Sequence, residues 1–122
     1  MVEVICDTSF LIHLATRRIK NIDNLDTEIG SISFVIPQVV KNELIKLQNN
    51  SEKKQEIETT INFIKKLKTI PINGNFADKE LLEYVKDNRS IVGTMDKALK
   101  KQIKQVGSSI LSFSQDKIVL ES

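Results

Sequence analysis

The sequence predicts a three-layer α/β/α sandwich, an α/β fold with a central, mostly parallel sheet of about five strands. Short β-branched apolar runs alternate along the chain with longer stretches of helical spacing. Such alternation is typical of right-handed βαβ crossovers, which place helices on both faces of a parallel sheet. The chain has 122 residues, and no linker, internal repeat or low-complexity tract divides it. We therefore expect residues 1–122 to form a single domain.

The first half of the chain supplies two of the expected strands. Val2–Cys6 is a β-branched apolar run, typical of a strand buried on both faces, and the Asp-Thr-Ser sequence at 7–9 can cap the helix behind it. Residues 19–30 alternate Asn, Asp and Ile, which indicates a short helix or a loop. Residues 34–36 form a second buried strand, and Pro37 stands where the next helix is expected to begin.

Apolar spacing predicts the remaining elements. Val40, Leu44 and Leu47 recur at i, i+4 and i+7, and a second apolar stripe runs from Ile57 to Leu67, so two helices are expected here. The pattern then predicts strand 69–72, helix 77–86, strand 90–94, helix 97–106, strand 109–113 and a short strand 117–120.

Composition excludes several classes of function. With one Cys and one His, the chain can form neither an internal disulfide nor a four-ligand zinc site. No apolar run is long enough to span a membrane, and the first residues lack the basic and apolar regions of a signal peptide. We therefore expect a cytoplasmic protein with no membrane partner. A net charge of +2 allows nucleic acid as a partner but does not demand it.

Four carboxylates are candidate site residues, and two of them stand where an α/β sheet binds ligands, beyond the carboxyl ends of its strands. Asp7 follows the first strand and Asp96 the fourth, and each could simply cap a helix. Glu43 borders the buried stripe of its helix, although it could be a surface acid. Asp78 shares a helix face with Leu81, although it could serve the helix dipole. Four converging carboxylates need a cation, and an oxygen-only ligand set suits Mg²⁺ or Mn²⁺.

Four short motifs follow one another in a fixed order along the chain. They are Asp7-Thr8-Ser9, Pro37-x-x-Val40-x-x-Glu43-Leu44, Ala77-Asp78-x-x-Leu81 and Thr94-Met95-Asp96. In order, spacing and structural context this set resembles the PIN-domain ribonucleases, over essentially the whole chain. By position, the resemblance implies a catalytic and metal-binding quartet of Asp7, Glu43, Asp78 and Asp96, with supporting hydroxyls at Ser9 and Thr94. Met95 departs from the polar residue that is more usual in the family.

The resemblance also implies an activity and a set of partners. It implies a PIN-like fold and an endoribonuclease that depends on Mg²⁺ or Mn²⁺ and hydrolyses RNA phosphodiester bonds, often as a homodimer. We expect Asp7 and Asp96 to be direct metal ligands, with Glu43 and Asp78 completing the pocket. Two biological roles stay open. One is the toxin of a toxin–antitoxin pair, in which an antitoxin protein would block the acidic pocket, and the other is RNA maturation.

Four lysines lie at helical spacing just after Asp96: Lys97, Lys100, Lys101 and Lys104. Such a run is either a solvated helix face or, this close to the expected site, a set of contacts to RNA phosphates. With a single Tyr, Tyr84, and no Trp, the chain is not expected to offer an aromatic platform for stacked bases. RNA binding would then depend on phosphate contacts.

Two other classes of protein remain as alternatives. A receiver-like phosphoacceptor domain has a similar length, layering and strand-end acids. It needs an Asp closing the third strand and a Lys closing the fifth, where this chain has Asn-Gly-Asn at 73–75 and Ser-Phe-Ser at 112–114. A catalytically inert PIN-like RNA-binding module is the second alternative, and the complete set of four acids argues against it.

Overall fold

The computed structural model describes residues 2–17, 32–50, 52–115 and 117–121. The short helix or loop expected at 19–30 lies outside them. Within the described residues the chain forms β1 (Val2–Cys6), α1 (Thr8–Thr16), β2 (Ile32–Pro37), α2 (Gln38–Asn50), α3 (Lys54–Ile64), β3 (Lys68–Ile70), α4 (Ala77–Asp87), β4 (Ile91–Gly93), α5 (Lys97–Gln105), β5 (Ser109–Ser114) and β6 (Lys117–Glu121).

The strands form one sheet in the order β3-β2-β1-β4-β5-β6. Neighbours from β3 to β5 are parallel, and β6 pairs antiparallel with β5. The predicted α/β fold with a mostly parallel sheet is confirmed, and the short strand expected last in the chain is the antiparallel sixth. The chain winds from β1 to β3 in one direction and from β4 to β5 in the other. The crevice beyond β1 and β4 is therefore the switch point at which doubly wound sheets bind ligands.

The reversal of winding also divides the helices into two layers. Right-handed crossovers put the helices before the reversal on one face of the sheet and those after it on the other. Accordingly α3 contacts both α1 and α2, while α4 contacts α5. The two groups meet where α2 approaches α4. None of the helices in the described part of the chain is long and apolar enough to cross a membrane.

The central strands and α1 pack without space between them. Val4, Cys6 and Phe10 are fully buried, which agrees with a first strand covered on both faces and a cysteine that packs as a small apolar side chain. A Cβ built on Gly93 would lie 2.8 Å from the Phe10 ring. Glycine at the end of β4 thus lets α1 approach, and this close approach holds the start of α1 beside the end of β4.

The boundary between β2 and α2 differs from the one predicted. Pro37 is the last residue of β2, in register with Ile70, and does not open the following helix. A proline is tolerated there because β2 ends at this position and its ladder needs no further N–H. The start of α2 is held instead by the loop after β3, whose Ile72 carbonyl accepts a 2.9 Å hydrogen bond from the Val39 N–H. That bond fixes the loop against α2.

Candidate active site

Asp7 is held by hydrogen bonds on both of its carboxylate oxygens. It is the first residue after β1 and is only 4% exposed. Its Oδ1 accepts from the Phe10 N–H at 2.8 Å and from the Ser9 hydroxyl at 2.9 Å, and its Oδ2 accepts from the Thr94 hydroxyl. Asp7 therefore caps α1, which is the helix-capping role that the sequence left open for it. Three bonds also fix the direction of its carboxylate relative to the crevice.

Two hydroxyls connect the loop after β1 to the loop after β4. The Thr94 Oγ1 accepts from the Asp96 N–H at 3.1 Å, and the Ser9 Oγ accepts from the Met95 N–H at 3.2 Å. These are the two hydroxyls that the family resemblance singles out. Met95 takes part through its backbone, so its departure from the family pattern leaves this connection intact.

The other three acids come from three different helices. Asp96 caps α5 by accepting from the Leu99 N–H at 3.0 Å. Glu43 is half-buried on α2. The expectation that Asp78 shares the buried face of α4 is wrong, because Asp78 is exposed while Leu81 is fully buried. Asp78 lies in the first turn, where a helical side chain leans back over the turn before it and away from the core.

All four acids line one cavity of about 440 Å³ at the switch point of the sheet. Its wall also includes residues of the loop after β1, of α1 and of the loop after β4. The described lining residues are Asp7, Thr8, Ser9, Ile12, Glu43, Asp78, Met95 and Asp96. None of them is a Lys, Arg or His, so the chain supplies no cation to this cavity from the described residues.

Two of the carboxylates of this cavity, Asp7 and Asp78, have raised pKa values. Burial raises the pKa of Asp7 above its ordinary value, although hydrogen bonds from Thr94, Phe10 and Ser9 oppose that shift, and the charge of Asp78 adds to it. Burial and the charge of Asp96 likewise raise the pKa of Asp78. The acids are thus close enough to repel one another, and a bound cation would relieve that repulsion.

The donor set fits a hard divalent cation that keeps part of its water shell. Across the described ranges, no group of three or more Asp, Glu, His or Cys side chains is close enough to hold one ion directly. Asp7 already uses three of the roughly four acceptor positions of a carboxylate. Mg²⁺ typically takes only one or two carboxylates and retains several waters, so such spacing suits it. The buried Thr8 hydroxyl in the cavity wall has no hydrogen-bond partner among the described residues.

A larger groove of about 720 Å³ adjoins the acid cavity and shares Glu43 and Asp78 with it. It lies where α2 approaches the start of α4, and we call it the α2–α4 groove. Its described lining residues are Val39, Asn42, Glu43, Lys46, Gly74, Asn75, Phe76, Ala77, Asp78 and Lys79. Phe76 is 71% exposed. The expectation that no aromatic platform is available considered only Tyr and Trp, and it left out this exposed ring.

The four lysines of α5 differ in their contacts: two form ion pairs with Glu121, and two are exposed without such a pair. The Nζ atoms of Lys100 and Lys104 lie 3.5 Å and 3.0 Å from the carboxylate of Glu121 on β6. Lys97 and Lys101 are exposed and form no ion pair with another described residue. No residue of this lysine set lines the acid cavity. The two paired lysines contact β6, and Lys97 and Lys101 are the two of the four that are exposed without an ion pair among the described residues, whether as a solvated face or as phosphate contacts.

Comparison with known proteins extends the likeness beyond the site. The family model described as PIN like domain matches residues 4–116. Ribonuclease VapC4 of Methanocaldococcus jannaschii is 30% identical over 127 residues, which cover 96% of this chain and 94% of the relative. Among solved structures, the PIN domain endonuclease Utp24 superposes with a TM-score of 0.79 at 28% identity, covering 98% of this chain and 90% of that one.

A second solved structure is similar in fold alone. This domain of a functionally unknown protein from Methanocaldococcus jannaschii has a TM-score of 0.61 at 17% identity, covering 93% of this chain and 92% of its own. The family match spans the strand ends and the helix starts that build the acid cavity. Since that match covers most of the chain and the relatives include a named ribonuclease and a named endonuclease, the chain is a nuclease that belongs to the PIN-domain ribonuclease family.

Proposed function

We propose that this chain is a divalent-metal-dependent endoribonuclease that hydrolyses RNA phosphodiester bonds. The observation that carries the proposal is the acid cavity itself. Four carboxylates from separate elements line one cavity, with no cationic side chain among its described lining residues. Such an arrangement costs stability unless a cation enters from solution. An oxygen-only site of this kind suits Mg²⁺ or Mn²⁺.

The chain's own residues would divide the work of the site. Asp7 lines the cavity and uses three of its roughly four acceptor positions, while Asp96 uses only one of its oxygens to cap α5. These two are the proposed direct ligands, and Glu43 and Asp78 complete the acidic wall. When bound, Mg²⁺ or Mn²⁺ would activate a water and neutralise charge on the phosphate. In-line attack by water leaves a 5′-phosphate and a 3′-hydroxyl.

A cleavage assay tests this proposal directly. The purified chain is incubated with end-labelled single-stranded RNA in Mg²⁺, in Mn²⁺ and in EDTA. We expect internal cleavage with either metal and none in EDTA, with 5′-phosphate ends on the products. An Asp96→Asn variant, purified in the same way, controls for contaminating nuclease. Intact RNA in both metals would contradict the proposal and favour the inert RNA-binding module.

For the biological role we propose the toxin of a toxin–antitoxin pair, acting in the cytoplasm as a homodimer. The similarity to Ribonuclease VapC4 at 30% identity supports this choice. RNA maturation is the alternative, supported by the likeness to Utp24 at 28% identity. Expression of the chain in a bacterial host separates the two roles. A toxin arrests growth, a co-expressed antitoxin restores it, and the Asp96→Asn variant leaves growth unchanged.

A further inference from the structure

The α2–α4 groove beside the acid cavity contains an aromatic side chain with no structural task. Phe76 is 71% exposed, so its ring adds little to the core. Its backbone carbonyl starts α4 by accepting a 3.0 Å hydrogen bond from the Glu80 N–H, and its side chain makes no capping bond. Any residue could supply that carbonyl. The phenyl ring is thus available to a ligand in the groove.

The loop before Phe76 turns at a glycine and is tied to α2. Gly74 has a φ of +132°, which side-chain-bearing residues rarely adopt, and a Cβ there would lie 2.3 Å from the Glu80 carboxyl group. The same loop is tied to α2 through the bond between the Val39 N–H and the Ile72 carbonyl. The loop thus carries Phe76 to the wall opposite α2, two residues before Asp78 of the acid cavity.

The polar groups around the ring match a nucleotide. The Asn42 Oδ1 accepts a 2.9 Å hydrogen bond from the Gln38 amide, which leaves the Asn42 NH₂ group free to donate. Asn75 makes no side-chain bond to a described residue, and Lys46 forms no ion pair with one. Amide donors can contact a base edge and a lysine can contact a phosphate. The groove volume of about 720 Å³ lies within the range of roughly 300–1,000 Å³ that is usual for ligand sites.

We propose that the α2–α4 groove is a nucleotide subsite, in which the Phe76 ring stacks on the base next to the phosphate that is cleaved. This inference rests on the proposed function, because it places one nucleotide of a single-stranded RNA relative to the acid cavity. The groove and the cavity share Glu43 and Asp78, so a strand whose phosphate lies at the acids continues into the groove. A stacked base is sequence-tolerant, since every base has a π face.

Binding of a short single-stranded RNA tests the stacking contact apart from cleavage. All proteins carry Asp96→Asn so that the RNA stays intact, and Kd is measured by fluorescence anisotropy in Mg²⁺. Phe76→Ala should weaken binding between about fivefold and about 100-fold, while Phe76→Tyr, which keeps a ring, should stay within about twofold of the parent. Leu120→Ala on β6, which removes another exposed apolar side chain (45% exposed), should leave Kd unchanged.

Abasic substitution identifies the base that the ring contacts. One nucleotide at a time is replaced by an abasic ribose, and each RNA is bound to the Phe76 and Phe76→Ala proteins. At one position the abasic RNA should lose as much affinity for the Phe76 protein as Phe76→Ala does on intact RNA, and the two changes together should lose no more. A Kd unaffected by Phe76→Ala, or losses that multiply at every position, would overturn the subsite.

The proposed function fails by a different result. If the unaltered chain leaves RNA intact in Mg²⁺ and Mn²⁺, the proposed metal-dependent endoribonuclease activity is contradicted, whereas the abasic series still reports whether Phe76 contacts a base. Cleavage by the unaltered chain together with equal Kd values for the Phe76 and Phe76→Ala proteins would contradict the subsite alone.

Discussion

Carboxylates in two regions of this domain meet opposite surroundings. At the edge of the sheet, Glu121 on β6 accepts from the Ser112 hydroxyl at 2.6 Å and lies beside two lysines of α5. These contacts, led by the Ser112 hydrogen bond and the one from Lys104, lower the pKa of Glu121 to about 2. At the centre, burial and neighbouring acids raise the pKa of Asp7 and of Asp78.

The difference separates a carboxylate that is paired within the chain from the carboxylates for which we propose a metal ligand. The charge of Glu121 is compensated within the chain, so this residue fastens the last strand to α5. The described lining of the acid cavity includes no cationic side chain, and the proposed metal would compensate its charge from solution. Both regions draw on the same helix, because Asp96 caps α5 at the cavity while Lys100 and Lys104 of α5 extend toward β6.

The largest expected effect is on the rate of RNA cleavage, and it distinguishes an acid of the cavity from Glu121. Asp96→Asn should lower the rate of RNA cleavage by about 100-fold or more, because it removes a charge that the proposed metal requires. The variant should still fold, since an Asn side chain can accept the same hydrogen bond from the Leu99 N–H. Initial cleavage rates in Mg²⁺ provide the measurement. Glu121→Gln is the matched control and should cleave as the unaltered chain does.

A smaller effect concerns stability in the presence of metal. At tenfold excess over its dissociation constant, Mg²⁺ that binds only the folded acid cavity adds about 1.4 kcal/mol, or several degrees in Tm. Asp78→Asn should shrink that rise. Without metal it should increase Tm slightly at pH 7, because it removes repulsion with Asp96.

The expected increase in the Tm of Asp78→Asn without metal follows from the raised pKa of Asp78. An aspartate with a raised pKa destabilises the folded state when it is ionised, so the gain in the Asp78→Asn variant should vanish below the ordinary value of 3.8. Thermal melts at pH 7 and near pH 3, with and without Mg²⁺, measure both effects. A melting curve of the unaltered chain that Mg²⁺ and Mn²⁺ leave unmoved would remove the metal from the acid cavity.

Sequence patterns predicted the fold and the positions of Asp7 and Asp96 because both follow from local rules. Alternation of buried strands and amphipathic helices fixes a mostly parallel sheet, and an acid that directly follows a strand must lie at its carboxyl end. That is why Asp7 and Asp96 could be placed from the sequence. Whether these acids are catalytic remains a prediction that the cleavage assay tests.

Other features depended on contacts between distant residues and could not be read from spacing. Helical spacing placed four lysines together, but it could not show that Glu121, on a strand later in the chain, would pair with two of them. The exposure of Phe76 depends on how the loop after β3 attaches to α2. One local signal was available, since Phe76 precedes α4 at its cap position and falls outside the buried stripe of that helix.

The lysines of α5 also test the difference between side chains that are paired within the chain and side chains that are available to a ligand. Replacing Lys97 and Lys101 with Ala should reduce the slope of log Kd against log salt for single-stranded RNA by about 0.7 for each phosphate that the variant no longer neutralises. Replacing Lys100 and Lys104 should change that slope little, because both lysines form ion pairs with Glu121. Binding titrations over a series of KCl concentrations compare the two double variants. Equal slopes in both would return all four lysines to a solvated helix face.

The smallest expected effect is the stability that Glu121 contributes at the edge of the sheet. Its side chain is 34% exposed, so solvent screens its ion pairs, and Glu121→Gln should cost about 1 kcal/mol or less at pH 7. A pKa lowered from 4.5 to about 2 means that this stability is present above 4.5 and is lost as the pH falls through 2. The Tm difference between Glu121→Gln and the unaltered chain should therefore be largest near neutral pH and should shrink as the pH approaches 2.

Glu3→Gln is the matched control for this prediction, because Glu3 pairs with a single exposed lysine, Lys68, at 3.1 Å. A difference that persists undiminished at pH 2, or that Glu3→Gln reproduces, would mean that the hydrogen bond and two lysines around Glu121 do not hold its charge, and the contrast with the acid cavity would disappear.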